Sequence, residues 1–161
     1  MNNFCYNFIV KIVPYSDEYK NQTINLILTI LENEFYSFGY ERPDLFNIPE
    51  TYQANNWNFW IAIEKGKVVG TVGLRNYGNN RGLLKRLYVN KNFRRTGLGS
   101  KLFVTLVKFA KEKNYREVFL GTSEKMIAAN QFYLKMGFKR IDSFPAEIPN
   151  PGDTVFYKID L

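Results

Sequence analysis

The residues best placed to do chemistry are Arg94-Arg95-Thr96-Gly97-Leu98-Gly99-Ser100. They stand between an apolar run, Leu87-Tyr88-Val89, and an amphipathic stretch that opens at Leu98, so the order is strand, glycine-rich turn, helix. Gly97 and Gly99 have no Cβ, so the backbone there can take positive φ and lie close against a ligand. The first amides of the helix have no partner within it, and the helix dipole favours negative charge at that end. The turn therefore reads as an anion site, with a pyrophosphate as its natural guest. Arg94 and Arg95 add positive charge with bidentate reach. No Gly-Lys-Ser/Thr follows, which excludes a Walker loop. Only two glycines fall in register, deep in the chain, which makes a poor dinucleotide fingerprint.

Other catalytic devices are excluded by what the chain lacks. It has no histidine, so Ser-His-Asp and Cys-His catalysis are ruled out and no metal site is expected. The single cysteine, Cys5, can form no internal disulfide and has no histidine to activate it, which points to a reducing compartment and an inert thiol. The net charge of +7 calls for a polyanionic partner: nucleic acid, an anionic membrane surface or a phosphate-rich cofactor. No block of five basic residues occurs. Lys85, Arg86, Lys91, Arg94 and Arg95 instead gather around the glycine turn, so the surplus reads as serving a ligand held there rather than nucleic acid. Met1-Asn2-Asn3 lacks the basic start of a signal peptide, and no run approaches the ~18 apolar residues of a membrane helix. A cytoplasmic protein with no membrane or nucleic-acid partner is expected.

The elements that must position this turn are set by periodicity. With 161 residues and 45% hydrophobic content, one globular domain spanning 1–161 is expected. Residues 8–13 read as a strand stopped by Pro14, with Ser16 and Asp17 as helix caps. Ile24, Ile27, Leu28, Leu31 and Phe35 make the stripe of a helix ended by Gly39. Residues 40–57 read as a loop with a short helix. Strands at 59–63, 68–74 and 83–89, joined by turns at 64–67 and 78–82, form an antiparallel meander leading into the glycine turn. The next helix shows Leu98, Leu102, Leu106, Phe109 and Ala110 on one face. A strand at 117–121, a helix at 125–136 ended by Gly137, and a strand pair at 138–141 and 154–161 complete the chain. The order is β, α, β-β-β, α, β, α, β-β.

Two segments, in this order, resemble the GNAT superfamily of N-acetyltransferases. Phe93-Arg94-Arg95-Thr96-Gly97-Leu98-Gly99 is similar to its acetyl-CoA pyrophosphate loop, and Phe132-Tyr133-Leu134-Lys135-Met136-Gly137-Phe138 to the helix after its fifth strand. The resemblance implies an α+β (mixed α/β) fold: a central, mostly antiparallel twisted sheet of about seven strands flanked by helices, splayed between the fourth and fifth strands. It implies that acetyl-CoA is the co-substrate and that an amine acceptor attacks it directly in a ternary complex. The pantetheine arm would pair with the backbone of Leu87, Tyr88 and Val89 as an added strand. The pyrophosphate would rest on the amides of Arg94, Arg95, Thr96, Gly97, Leu98 and Gly99, with Ser100 adding a hydroxyl. Tyr133 matches the residue that protonates the departing thiolate, and packing in the core is its other reading. Asn130 would bond the coenzyme or lie as a plain surface residue. Homodimers are common in the family, and nothing in this sequence demands one.

The chain also departs from the family pattern. Leu83 and Leu84 stand where many relatives have a glutamate base, so no base is assigned. Met126 replaces an asparagine. Arg95 replaces a glycine, which is harmless in helical or extended conformation. Glu32, Glu34, Glu41 and Glu147, with Phe35, Tyr36, Phe38, Tyr40, Tyr52 and Trp57, are the expected acceptor lining, or else simply pack the fold. The alternative to an enzyme is a non-catalytic acyl-CoA-binding module of the same fold.

Overall fold

Alternation along one strand sorts the molecule into layers. In β2 (Asn58–Glu64), Phe59 and Ile61 are buried on one face while Trp60 and Ala62 are buried on the other. A strand buried on both sides must be covered on both sides, and it is. In this computed structural model, which describes residues 9–35, 41–54, 56–150 and 152–161, helices lie on either face of a seven-stranded sheet. Cys5, Phe8, Tyr36, Phe38, Gly39 and Tyr40 fall outside the described residues.

The strands are β1 (Lys11–Pro14), β2, β3 (Lys67–Asn76), β4 (Arg81–Val89), β5 (Glu117–Thr122), β6 (Lys139–Ile141) and β7 (Val155–Asp160). Their order in the sheet is β1-β2-β3-β4-β5-β7-β6, and only the β4–β5 pair is parallel. The helices are α1 (Lys20–Phe35), α2 (Pro43–Phe46), α3 (Ile48–Tyr52), α4 (Leu98–Glu112) and α5 (Ile127–Lys135), with short 3-10 turns at Asp17–Tyr19 and Lys91–Phe93. The expected order of elements and the α+β sheet are both present.

One core joins α1, α2 and α3 to the sheet through Ile27, Leu31, Leu45, Ile48 and Tyr52. The other seats α4 and α5 through Leu98, Leu102, Leu106, Ala110 and Tyr133. Phe103 is buried with the α4 stripe while Phe109 is only partly buried, so the covered face is turned slightly from the expected one. Helix α1 shows the same turn, burying Thr23, Ile27, Ile30 and Leu31. β1 ends at Pro14, as expected. Pro14 is the strand's last paired residue, opposite Trp60, and an edge strand tolerates its missing N–H. Ser16 makes no cap, because its hydroxyl donates to Glu18 Oε1 at 2.9 Å.

Two irregularities in β4 shape the sheet around it. Beside β5 it pairs only over Arg81–Leu83, with Glu117–Phe119. Beyond Leu83, β4 pairs with β3 alone and β5 with β7 alone, so the sheet opens between them. Beside β3 the register shifts between Thr71 and Gly73, opposite a bulge where Arg86 takes φ 57°. A left-handed non-glycine residue costs about 1–2 kcal/mol. The hydroxyl of Thr71 donates to the Arg86 carbonyl at 2.6 Å and holds the bulge.

Candidate functional site

The glycine turn joins the end of β4 to α4. Asn90 accepts from the Asn92 amide at 3.0 Å, and the Thr96 hydroxyl donates to the Phe93 carbonyl at 2.6 Å, so the turn's own side chains fix its course. Gly97 is the N-cap of α4, with φ 84° and no side chain to cap it. The first amide of the helix with an acceptor is that of Lys101, bonded to Gly97 O at 3.0 Å. The amides of Leu98, Gly99 and Ser100 are thus open, as an anion site requires. An added Cβ at Gly97 meets nothing within 4 Å, and one at Gly99 makes only ordinary contact with Phe132 and Val89. Packing within the protein therefore does not demand a glycine at 99; its effect is clearance above the helix start.

The two arginines of the turn differ in use. Arg94 donates through Nε to Val89 O at 3.0 Å and through both terminal nitrogens to Glu34 of α1, at 2.8 and 2.7 Å. Its guanidinium clamps the turn to α1 and its amide donates to Lys91 O at 3.4 Å, so, against the expectation, Arg94 does not hold a free amide for a guest. Arg95 is exposed, and its φ of 63° is left-handed, not the helical or extended value expected. A glycine would fit there without strain.

The opening between β4 and β5 holds a cavity of about 180 Å³ lined by Leu83, Leu84, Lys85, Arg86, Tyr88, Gly121 and Asp153. Tyr88 closes its β4 wall, and past the bulge Tyr88 and Val89 pair with β3 on one side and with no described strand on the other. Of the lining groups, Arg86 is committed: Nε and Nη2 donate to Asp44 at 2.8 and 2.7 Å, and Tyr52 donates to the same carboxylate at 2.7 Å. Burial pushes the Asp44 carboxyl up, but the bonds and charge of Arg86 and the Tyr52 hydroxyl outweigh it, so the net shift is downward. The Lys85 ammonium and the Asp153 carboxylate have no hydrogen-bond or ion-pair partner among the described residues, although the Asp153 backbone is held by Asn150, which accepts from its amide at 2.8 Å and donates to its carbonyl at 3.2 Å. Burial lowers the Lys85 ammonium, and neighbouring Arg86 lowers it further. Burial raises the Asp153 carboxyl, with Lys85 and Arg86 offsetting part of that rise. Asp153 reaches the cavity by resting on Gly121 of β5, where any Cβ would collide with its carboxylate.

Tyr133, on α5, is buried among the rings of Phe132, Phe138 and Tyr157 at 5.7, 5.7 and 6.1 Å. Its hydroxyl has no hydrogen-bond partner among the described residues. Burial first, then the nearby Tyr88 and Asp153, hold the phenol far above its ordinary range, so it keeps its proton at any working pH. Asn130 is engaged internally. Its amide donates to Ser123 O and Met126 O, both at 2.9 Å, and its Oδ1 accepts from the Tyr157 hydroxyl at 2.8 Å. One lone pair on Oδ1 is all it has left for a coenzyme.

The expected acceptor lining is dispersed. Tyr52 is fully buried and Phe35 packs against the same core. Trp57 lies under the Arg75 guanidinium at 5.8 Å, Glu34 holds Arg94, and Glu147 pairs with Arg81. None of them lines the opening. Sequence reasoning missed Asp44 and Asp153. Asp153 sits in a proline-containing loop far along the chain from Gly121, and only the tertiary fold brings the two together. Among the described residues no three His, Cys, Asp or Glu side chains gather around a common point, and no helix is long and apolar enough to cross a membrane.

Known proteins are similar to this chain in sequence and fold. The acetyltransferase (GNAT) family model matches residues 25–138. A stretch of 123 residues is 33% identical to a probable N-acetyltransferase camello of Xenopus tropicalis, covering 72% of this chain and 56% of that protein. The chain spans only 38 to 63% of the length of this and three further curated relatives. A crystal structure of a GNAT-family acetyltransferase from Staphylococcus aureus Mu50 superposes with TM-score 0.89 at 35% identity, over 94% of this chain and 98% of that one. The PaiA N-acetyltransferase of Thermoplasma acidophilum, solved in complex with coenzyme A, shares the fold at TM-score 0.73 and 20% identity, over 94% and 99% of the two chains.

Proposed function

The chain belongs to the acetyltransferase (GNAT) family, and from that premise we propose that it is an acetyl-CoA-dependent N-acetyltransferase whose whole active site lies within residues 1–161 as one domain. The observation that carries this reading is a single alignment of features. The strand that leaves the sheet open, β4, runs directly into the turn whose helix has uncapped amides. A long ligand with an anionic middle and an extended arm fits that path: pyrophosphate on the amides from Arg95 to Gly99 near Ser100, arm along Leu87, Tyr88 and Val89. A protein of the same fold has been solved with coenzyme A, which supports coenzyme A chemistry for the donor.

The bound donor would supply the acetyl group as a thioester. The remaining work falls to residues of this chain. Backbone groups of the open β4 edge hold the arm as an added strand, and an amide there faces the carbonyl oxygen on which charge develops. Tyr133, kept protonated by burial, delivers its proton to the departing sulfur. The paired rings around it fix the phenol in one orientation. With no histidine in the chain, attack by the amine itself is favoured over a covalent enzyme intermediate.

The test is thiol release from acetyl-CoA with a mixed panel of primary amines, wild type against Tyr133→Phe. Amine-dependent release that the variant loses supports the assignment. Acetyl-CoA binding without turnover on any amine would favour the acyl-CoA-binding module instead.

A further inference from the structure

Lys85 and Asp153 are the two charged groups of the opening that the protein leaves unmatched. Each lines the same cavity of about 180 Å³, each feels the charge of the other, and no ion-pair contact joins them. The third charge there, Arg86, is already satisfied by both oxygens of Asp44. The rest of the wall, Leu83, Leu84, the neutral phenol of Tyr88 and the bare backbone of Gly121, offers no counter-charge. The volume equals roughly six water molecules, which suits a small metabolite and not a folded partner.

A plain amine entering this cavity would place its cation on Asp153 and leave Lys85 unpaired in a desolvated site, which is costly. A molecule carrying both charges leaves neither group unmatched. The geometry points to an acceptor that is zwitterionic, a small α-amino acid, held with its carboxylate on Lys85 and its amine on Asp153. This inference rests on the reading of the opening as an acetyl-transfer site. The proton count closes. The ammonium gives one proton to Asp153 and becomes a nucleophile. Its nitrogen then bonds the acetyl carbon as the carbon–sulfur bond breaks, with the electron pair going to sulfur. Tyr133 protonates the sulfur and regains a proton from the new amide nitrogen, and the proton on Asp153 leaves to solvent. The products are the N-acetyl amino acid, a free thiol and one proton.

The test uses matched pairs: glycine with methylamine, leucine with isopentylamine, phenylalanine with phenethylamine. Thiol release gives kcat/KM for each, and calorimetry measures binding of the same compounds without donor. The expected result is a preference of tenfold or more for the carboxylate-bearing member of a pair in both measurements. Lys85→Met should collapse that ratio toward one, and Lys85→Arg should restore most of it. Asp153→Asn should lower turnover of both members together. A wild-type ratio near or below one overturns the inference, as does a ratio that Lys85→Met leaves intact, or no amino acid binding by protein that binds acetyl-CoA. Failure to bind acetyl-CoA while amino acids still bind through Lys85 would instead sink the acetyl-transfer reading alone.

Discussion

Lys85 and Arg86 are neighbours on β4, yet the fold treats them in opposite ways. Arg86 sits at a left-handed bulge with its guanidinium locked to Asp44, which Tyr52 also bonds; both members of the ion pair are nearly buried, at 13% and 14% side-chain exposure. Lys85 faces an opening in which the Asp153 carboxylate has no bond among the described residues. The first region is closed: every charge is matched and the strain of the bulge is held by its contacts. The second is unfinished, and its unmatched charges make sense only if a guest completes them. Charge burial alone therefore does not mark the working site. The presence or absence of an internal partner does.

The sharpest way to break this contrast is to remove each cation in turn. Arg86→Met leaves Asp44 buried and uncompensated and should cost about 3–5 kcal/mol in urea unfolding. Lys85→Met removes a charge with no bound partner and should cost under about 1 kcal/mol. Equal losses would erase the distinction. Next is Tyr133→Phe. It should lower kcat by on the order of a hundredfold or more, while stability moves by less than about 1 kcal/mol, because the hydroxyl has no described partner to lose. A large loss of stability with unchanged kcat would return Tyr133 to a purely packing role.

Gly121→Ala sharpens the comparison from the open side. The new methyl collides with the Asp153 carboxylate, so turnover should fall, with a loss of about 1–3 kcal/mol from the forced repacking. Full activity in that variant would mean that Asp153 does not need its seat on β5. The smallest effect is in pH dependence, where the two carboxylates have opposite signs. Asp44 has a lowered value in the folded state, so its contribution is present above the ordinary carboxylate range and is lost as pH falls through the lowered value. Asp153 has a raised value, so its contribution is present below that range and fades as pH rises through the raised value. Urea midpoints measured from roughly pH 3 to 7 should show Asp153→Asn removing a decline on the upward side. The acid limb of kcat should likewise lie above the ordinary carboxylate range.

Local signals carried the frame and the turn. The unbroken apolar run 59–63 marked a strand and the apolar stripe from Leu98 to Ala110 marked α4, because burial leaves its pattern in the local sequence. Gly97 and Gly99 marked the turn for the same local reason. The opening's charges were not legible. Lys85 and Asp153 are far apart in the chain and carry no spacing that relates them; they meet only after β7 returns beside β5. The aromatic lining read from residues 35–57 was a compositional impression. In the fold, Tyr52 supports Asp44, and so contributes to the closed region, not the open one. Arg95 shows the same limit on a smaller scale, since nothing in its side chain announces a left-handed backbone.

The measurement closest to the central claim is calorimetric titration of acetyl-CoA into the wild type and into a Gly97→Glu, Gly99→Glu double variant. Two carboxylates over the open amides of α4 should abolish binding in a protein that still folds, as judged by circular dichroism, while the wild type binds one equivalent. A folded wild type that binds no acetyl-CoA, or a variant that binds it equally well, would contradict the assignment of the turn and of the opening it leads from.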